Sequence, residues 1–217
     1  MAAVIVLLMF LIVAGVHLWL RSRGKQDVPQ PIKPMAEPKA PSGVFLHPGH
    51  AWARLGTDGS IRIGIDAFLA GLLGDADDVT LPPRGTKARK GEPLFRLRAG
   101  NRVLDVPSPI DGEVVATHGD TATRPWSVTM DPYGVGWVVA VRSPQPKEGL
   151  VALKTGPAAT AFLREELRRW IDFASGGSLV GGQPILADGG MPLRGAAATL
   201  DDAAWEEFVR SFVTDRK

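Results

Sequence analysis

The chain has 217 residues, with 25 Lys and Arg against 23 Asp and Glu, for a formal net charge of +2. A balance this close to neutral argues against a nucleic-acid footprint, which requires a pronounced basic excess. There is no cysteine, so disulfides, thiolate metal sites and cysteine nucleophiles are excluded; 25 Gly and 18 Pro suit a turn-rich β domain with linkers.

Ala3–Leu20 is an eighteen-residue apolar run without formal charge. As a helix it would reach ~27 Å, close to the ~30 Å hydrocarbon core of a bilayer. A cleaved signal peptide fits less well: no basic stretch precedes the run, and Arg21-Ser22-Arg23 stands where small residues would mark a cleavage site. Residues 1–25 therefore predict a single-pass transmembrane anchor, inserted in the bilayer through residues 3–20, with Trp19 at the interface. His17 lies near the interfacial end and reads as a snorkelling or helix-contact residue. Arg21, Arg23 and Lys25 follow the run directly, so the positive-inside rule places the globular part on the cytoplasmic side of the cell (inner) membrane.

Gln26–Ser42 carries five prolines and almost no large apolar side chain. Residues 26–43 are predicted to be an extended spacer, in part polyproline II, able to hold the domain up to ~50 Å from the bilayer. In Ser60–Ile65, Ile61, Ile63 and Ile65 alternate with polar or small residues, as in a half-buried strand. Asp66 can cap a short helix that buries Phe68, Leu69, Leu72 and Leu73 and stops at Gly74. In His47-Pro48-Gly49-His50 the proline prevents a helical face, so the pair does not read as a metal site. Asp75, Asp77 and Asp78 read as a solvated acidic loop.

Leu94–Arg98 and Arg102–Val106 predict two strands joined across Ala99-Gly100-Asn101, where Gly and Asn tolerate the positive φ of a tight turn. Ser108–Val114 leads into a third strand, Asp131-Pro132-Tyr133-Gly134 is a turn, and Trp137–Val141 is a further strand. The fold class is thus mainly β over residues 44–150, a small flattened barrel or sandwich. Pro144–Gly149 reads as a loop. Residues 151–217 form a helical extension that opens on a helix from Gly156-Pro157 to about Ala174, with an apolar stripe of Leu163, Leu167, Trp170, Ile171 and Ala174. Its opposite face would carry Arg164, Glu165, Arg168 and Arg169. Ser175–Ala198 is a Gly-rich loop without the context of a phosphate-binding loop. Thr199, with Asp202 completing a capping box, would start a last helix whose Trp205, Phe208, Val209 and Phe212 share one face. That face must be buried by this chain or by a partner.

Taken in order, His50-Ala51-Trp52, Gly64-Ile65-Asp66, Leu73-Gly74-Asp75, Leu81-Pro82-Pro83 with Gly85, Ser108-Pro109 with Gly112-Glu113-Val114, and Asp131-Pro132-Tyr133-Gly134 with Gly136-Trp137 resemble the H protein of the glycine cleavage system. The resemblance covers about Val44–Leu150 and implies the barrel-sandwich hybrid of the biotinyl/lipoyl-domain group. It also implies a lipoylated lysine on a hairpin turn, eight residues before the proline of the Ser-Pro pair. Counting back from Pro109 reaches Asn101, and no lysine lies between Gly91 and Pro146. Lipoate is held through an amide to a lysine amine, which neither Asn nor Arg can replace. His118 and Thr129 stand where the family pattern has asparagine.

No Gly-x-Ser-x-Gly elbow, His-Glu-x-x-His or Rossmann fingerprint occurs, and sequence alone does not bring His118 within reach of Asp111 or Asp120. The expectation is a protein that is not an enzyme and has no cofactor: a membrane-anchored interaction or assembly subunit working with one or more protein partners. Its contact residues would be Gly100, Asn101 and Arg102 at the hairpin tip, or Trp205, Phe208 and Phe212. The other class is a covalent carrier modified at Lys87 or Lys90.

Overall fold

The computed structural model describes residues 34–175 and 191–214. The apolar run 3–20, the first part of the spacer and most of the Gly-rich loop lie outside these residues. Among the described residues no helix is long and apolar enough to cross a membrane.

Two antiparallel sheets form the body. The larger contains β1 (Phe45–Leu46), β2 (Ala51–Leu55), β3 (Ile61–Ile65), β5 (Lys87–Ala88), β8 (Gly112–Thr117), β9 (Val139–Arg142) and β10 (Lys154–Thr155), in the order β10-β1-β2-β3-β9-β8-β5. The smaller contains β4 (Asp78–Thr80), β6 (Pro93–Ala99) and β7 (Arg102–Pro107), in the order β4-β6-β7. Strand alternation sorts the side chains: Ile61, Ile63 and Ile65 are fully buried while Arg62 is exposed. Leu97, Leu104 and Val106 of the small sheet join the same continuous core as Ile63, Val114 and Val139 of the large one.

The short helix α1 (Ala67–Leu73) follows β3. The Asp66 side chain accepts the Leu69 N–H at 2.9 Å and Gly74 ends the helix at φ 78°, so both caps read in the sequence are present. Two one-turn helices, α2 (Gly119–Thr123) and α3 (Ser127–Met130), lead into the Asp131–Gly134 turn.

Beyond β9 the structure departs from expectation in three places. Pro146–Val151 is a helix, α4, with its proline in the first turn, where no N–H is needed, rather than a loop. The long helix α5 (Gly156–Ser175) has the expected stripe, but Glu166 lies among its buried residues and Arg169 is only half exposed. The final helix α6 (Asp202–Phe208) is capped by Asp201, which accepts the Ala204 N–H at 2.7 Å. Thr199 instead ends a short 3-10 turn, Ala196–Thr199, where its hydroxyl donates to the Ala196 carbonyl. A π-helical turn, Val209–Val213, continues α6.

The described part of the proline-rich segment is packed rather than free. The Met35 N–H donates to the Pro192 carbonyl at 2.7 Å, Pro34 bridges Leu193, and Glu37 pairs with Arg164 at 3.1 Å. Met35 is buried, with its thioether over Gly71 of α1; a Cβ at Gly71 would lie 2.0 Å from the Met35 sulfur. The spacer reading therefore fails for residues 34–41, where one apolar side chain in a proline-rich frame is enough to dock the strap.

Candidate functional site

The β6–β7 hairpin turns on Gly100, at φ 57°, and Asn101, and both are exposed. The Gly100 N–H donates to Asp77 Oδ2 at 2.5 Å, which fastens the tip to the loop before β4. Arg102 points the other way. Its guanidinium donates to the Leu200 carbonyl and to Asp202 Oδ1, the latter at 2.6 Å, and stacks 5.6 Å from the Trp205 ring. Of the expected tip contacts, Gly100 and Asn101 are presented outward, and Arg102 is engaged with the C-terminal segment.

The aromatic contact set is corrected. Trp205, Phe208 and Phe212 are all buried. Phe208 meets Trp170 edge-on at 5.5 Å, and Phe212 packs on Phe208 at 5.3 Å and on Phe68 of α1 at 6.0 Å. These rings close the core of this chain. The large apolar residues that do stand exposed include Trp126, Met130 and Val135, around α3. The sequence signal was the i, i+4 pair Trp126 and Met130.

Lys87 and Lys90 differ in their surroundings. Lys87 Nζ pairs with Glu113 Oε2 at 2.6 Å across β5 and β8, and Glu113 is held below the usual carboxylate range by that contact. Lys90 is exposed, and its backbone N–H donates to Asp111 Oδ1. The structure gives His118 to neither Asp111 nor Asp120: its ring stacks on Trp137 at 4.5 Å and its Nδ1 faces the Trp137 carbonyl at 3.1 Å. Asp75 and Asp77 are not merely solvated either, since they pair with Arg194 at 2.8 Å and Arg98 at 3.8 Å. Among the described residues no group of three or more His, Cys, Asp and Glu side chains is arranged to hold a metal ion.

The motifs read in the sequence converge on one another. The Trp52 indole lies against Gly64, where a Cβ would sit 2.9 Å from Nε1, and that nitrogen donates to the Pro132 carbonyl at 2.9 Å. The Tyr133 hydroxyl accepts the Ala67 N–H at 3.1 Å. Burial, with the charge of Asp66 nearby, pushes that hydroxyl's pKa up. His50 and Asp66, from separate motifs, meet at 2.8 Å in the core. The residues that carried the resemblance are thus largely the ones that pin turns to strands.

The family model described as glycine cleavage H-protein matches residues 45–166, more than half of the chain. The chain belongs to the glycine cleavage H-protein family. A probable glycine cleavage system H protein 2 of Saccharolobus solfataricus is 34% identical over 114 residues, covering 52% of this chain and 76% of that protein. A probable glycine cleavage system H protein of Pyrococcus abyssi is 29% identical over 130 residues, covering 60% and 96%. A crystal structure of the glycine cleavage system H protein of Mycobacterium marinum superposes with a TM-score of 0.49 at 24% identity, covering 58% of this chain and 98% of that one. The H-protein match ends inside α5, so residues 167–217 stand outside it.

Proposed function

We propose that this chain is a non-enzymatic, membrane-anchored interaction or assembly subunit, built on an H-protein domain that does not carry lipoate. The observation that carries this reading is the hairpin tip. It offers Gly100 and Asn101 to solvent, and no lysine lies between Gly91 and Pro146. Lipoylation needs a displayed primary amine, and the neighbouring Arg102 is held by Leu200 and Asp202. The turn itself is intact, so the scaffold is kept while the group that would carry chemistry is missing. Partner contacts then fall to the exposed tip and to Trp126, Met130 and Val135. The apolar run 3–20 and the basic residues after it anchor the subunit, with the domain in the cytoplasm.

Peptide mass spectrometry of the full chain, taken from cells with active lipoylation, is the test. The expected result is an unmodified mass for the peptides covering Lys87, Lys90 and Asn101. Lipoate on Lys87 or Lys90 would restore the carrier reading. In the same preparation, alkaline carbonate should leave the chain in the membrane pellet, and release into the supernatant would remove the anchor.

A further inference from the structure

His50 is a buried histidine with a carboxylate at each nitrogen. Its backbone sits at φ 61°, a conformation that a non-glycine residue adopts only under constraint. Nδ1 is 2.8 Å from Asp66 Oδ2, and Nε2 is 3.5 Å from Glu166 Oε2, an ion-pair distance rather than a hydrogen bond. The ring is sandwiched between Phe68 of α1 at 4.6 Å and Phe162 of α5 at 5.4 Å. A neutral imidazole has one N–H and one bare nitrogen, so one nitrogen would turn a lone pair towards a carboxylate. Only the imidazolium presents N–H to both.

Among the described residues the charged neighbours come from several elements, and the buried His47 in the same turn accepts the Gly49 N–H at 3.0 Å. Asp66 comes from the turn before α1 and Glu166 from α5. Arg169, one turn further along α5, donates to both Glu166 oxygens. Arg169 also reaches the C-terminal turn: it donates to the Ser211 carbonyl at 2.8 Å and lies 4.7 Å above the Phe212 ring. Tyr133, whose hydroxyl is bonded to the Ala67 N–H, completes the set beside Asp66. On the other side of the turn, the Val213 carbonyl approaches so closely that a Cβ on Gly49 would lie 2.5 Å from it. The His47–His50 turn is therefore the seat on which both α5 and the C-terminal turn rest.

We propose that protonated His50 is a latch: it ties α5, and through Arg169 the turn 209–213, to the β domain, so that loss of its proton loosens the extension while the two sheets remain folded. Without the imidazolium, Asp66 and Glu166 face each other across a neutral ring in a site closed to water, and like charges in such a site repel strongly. The elements free to move apart are α5 and the turn 209–213, because Asp66 is fixed as the cap of α1. Burial opposes the charge on His50, but Asp66 and then Glu166 outweigh it and push the imidazole up to about 9.

Hydrogen exchange of the full chain, read by peptide and normalised to the intrinsic rate at each pH, tests the latch. Between pH 7 and pH 10, protection in 156–175 and 202–213 should fall at least tenfold, while peptides in β6 and β7 should hold theirs. In Glu166→Gln, which keeps the shape and removes one of the two anions that would face each other across a neutral ring, the fall should shrink to less than threefold. Independently of any variant, the His50 ring resonances of the wild-type chain should titrate well above neutrality. Unchanged protection of the extension at pH 10, uniform loss across both sheets, or titration of His50 near 6.5 would each overturn the proposal.

Discussion

Asp66 serves two elements through its two oxygens: Oδ1 accepts the Leu69 N–H that opens α1, and Oδ2 faces His50. Asp66→Asn keeps an acceptor for the cap and removes the charge. It should cost about 3 kcal/mol in chemical denaturation, the scale for breaking one partner out of a buried ion pair. Asp66→Ala should cost about 1 kcal/mol more, the worth of the cap. Equal losses in the two variants would mean that the cap contributes nothing. The pH dependence follows the same groups. The pKa of His50 is raised above its ordinary 6.5 to about 9, so its stabilisation is fully present below 6.5 and is lost as pH rises towards 9, a span worth about 3 kcal/mol. Burial works against the charge on Glu166 as well, but His50 and Arg169 win and hold it below its ordinary 4.5. Its contribution is present above 4.5 and fades as pH falls below. Stability measured by urea unfolding should therefore plateau between about 4.5 and 6.5 and decline on the alkaline side; a flat profile from pH 6.5 to 9.5 contradicts the pairing.

Single elements separate what the sequence discloses from what it hides. The hairpin at 93–107, the capped helix 67–73 and the long helix 156–175 are legible because their signals are local: a turn pair, a cap at each end, a 3.6-residue period. Glu166 is not legible. It sits in the run Arg164-Glu165-Glu166, indistinguishable by type from its exposed neighbours, and what buries it is a histidine far away in the chain. The cap of α6 shifts from Thr199 to Asp201 because Thr199 spends its hydroxyl closing the preceding 3-10 turn. Composition also conceals the docked strap, since prolines report stiffness and not where a chain rests. Gly71→Ala tests that docking. Alanine favours the helix by about 1 kcal/mol, but its methyl takes the place of the Met35 sulfur. Trypsin should then cut faster after the exposed Lys39 while the melting temperature moves by only a few degrees. An unchanged cutting rate would show that Met35 does not hold the strap. Asn101→Lys, at the exposed tip, should alter stability by no more than about 0.5 kcal/mol.

Taken whole, the described residues share one core that runs from Met35 through both sheets to Val213, so the segment beyond the H-protein match is structural rather than appended. Phe208, fully buried between Trp170, Trp205 and Phe212, shows how much rests on it. Phe208→Ala should lower stability by about 3–5 kcal/mol, the range for emptying a buried phenylalanine site. A chain ending at Ser175 should lose more, because Phe68 and Trp170 would then face water. Survival of either variant at wild-type stability would mean that the extension is dispensable for folding. The candidate contact surface was only half legible: the tip is written in a local turn, while the inward orientation of Trp205, Phe208 and Phe212 depends on which helix they meet.

The clasp of Pro34 and Met35 on Pro192 and Leu193 also gives the molecule a mechanical grain. Tension arriving along the chain from the N-terminal side enters at Pro34 and meets a backbone hydrogen bond, a short bridge, a methionine plug and the Glu37–Arg164 ion pair before it reaches any strand of the large sheet. These contacts would peel one after another, while β1, held on both edges by β2 and β10, would be loaded across several bonds together. A pull applied from the N-terminal side should therefore first lengthen the chain by the strap, about 3 Å for each residue freed, and only then tug on the folded body.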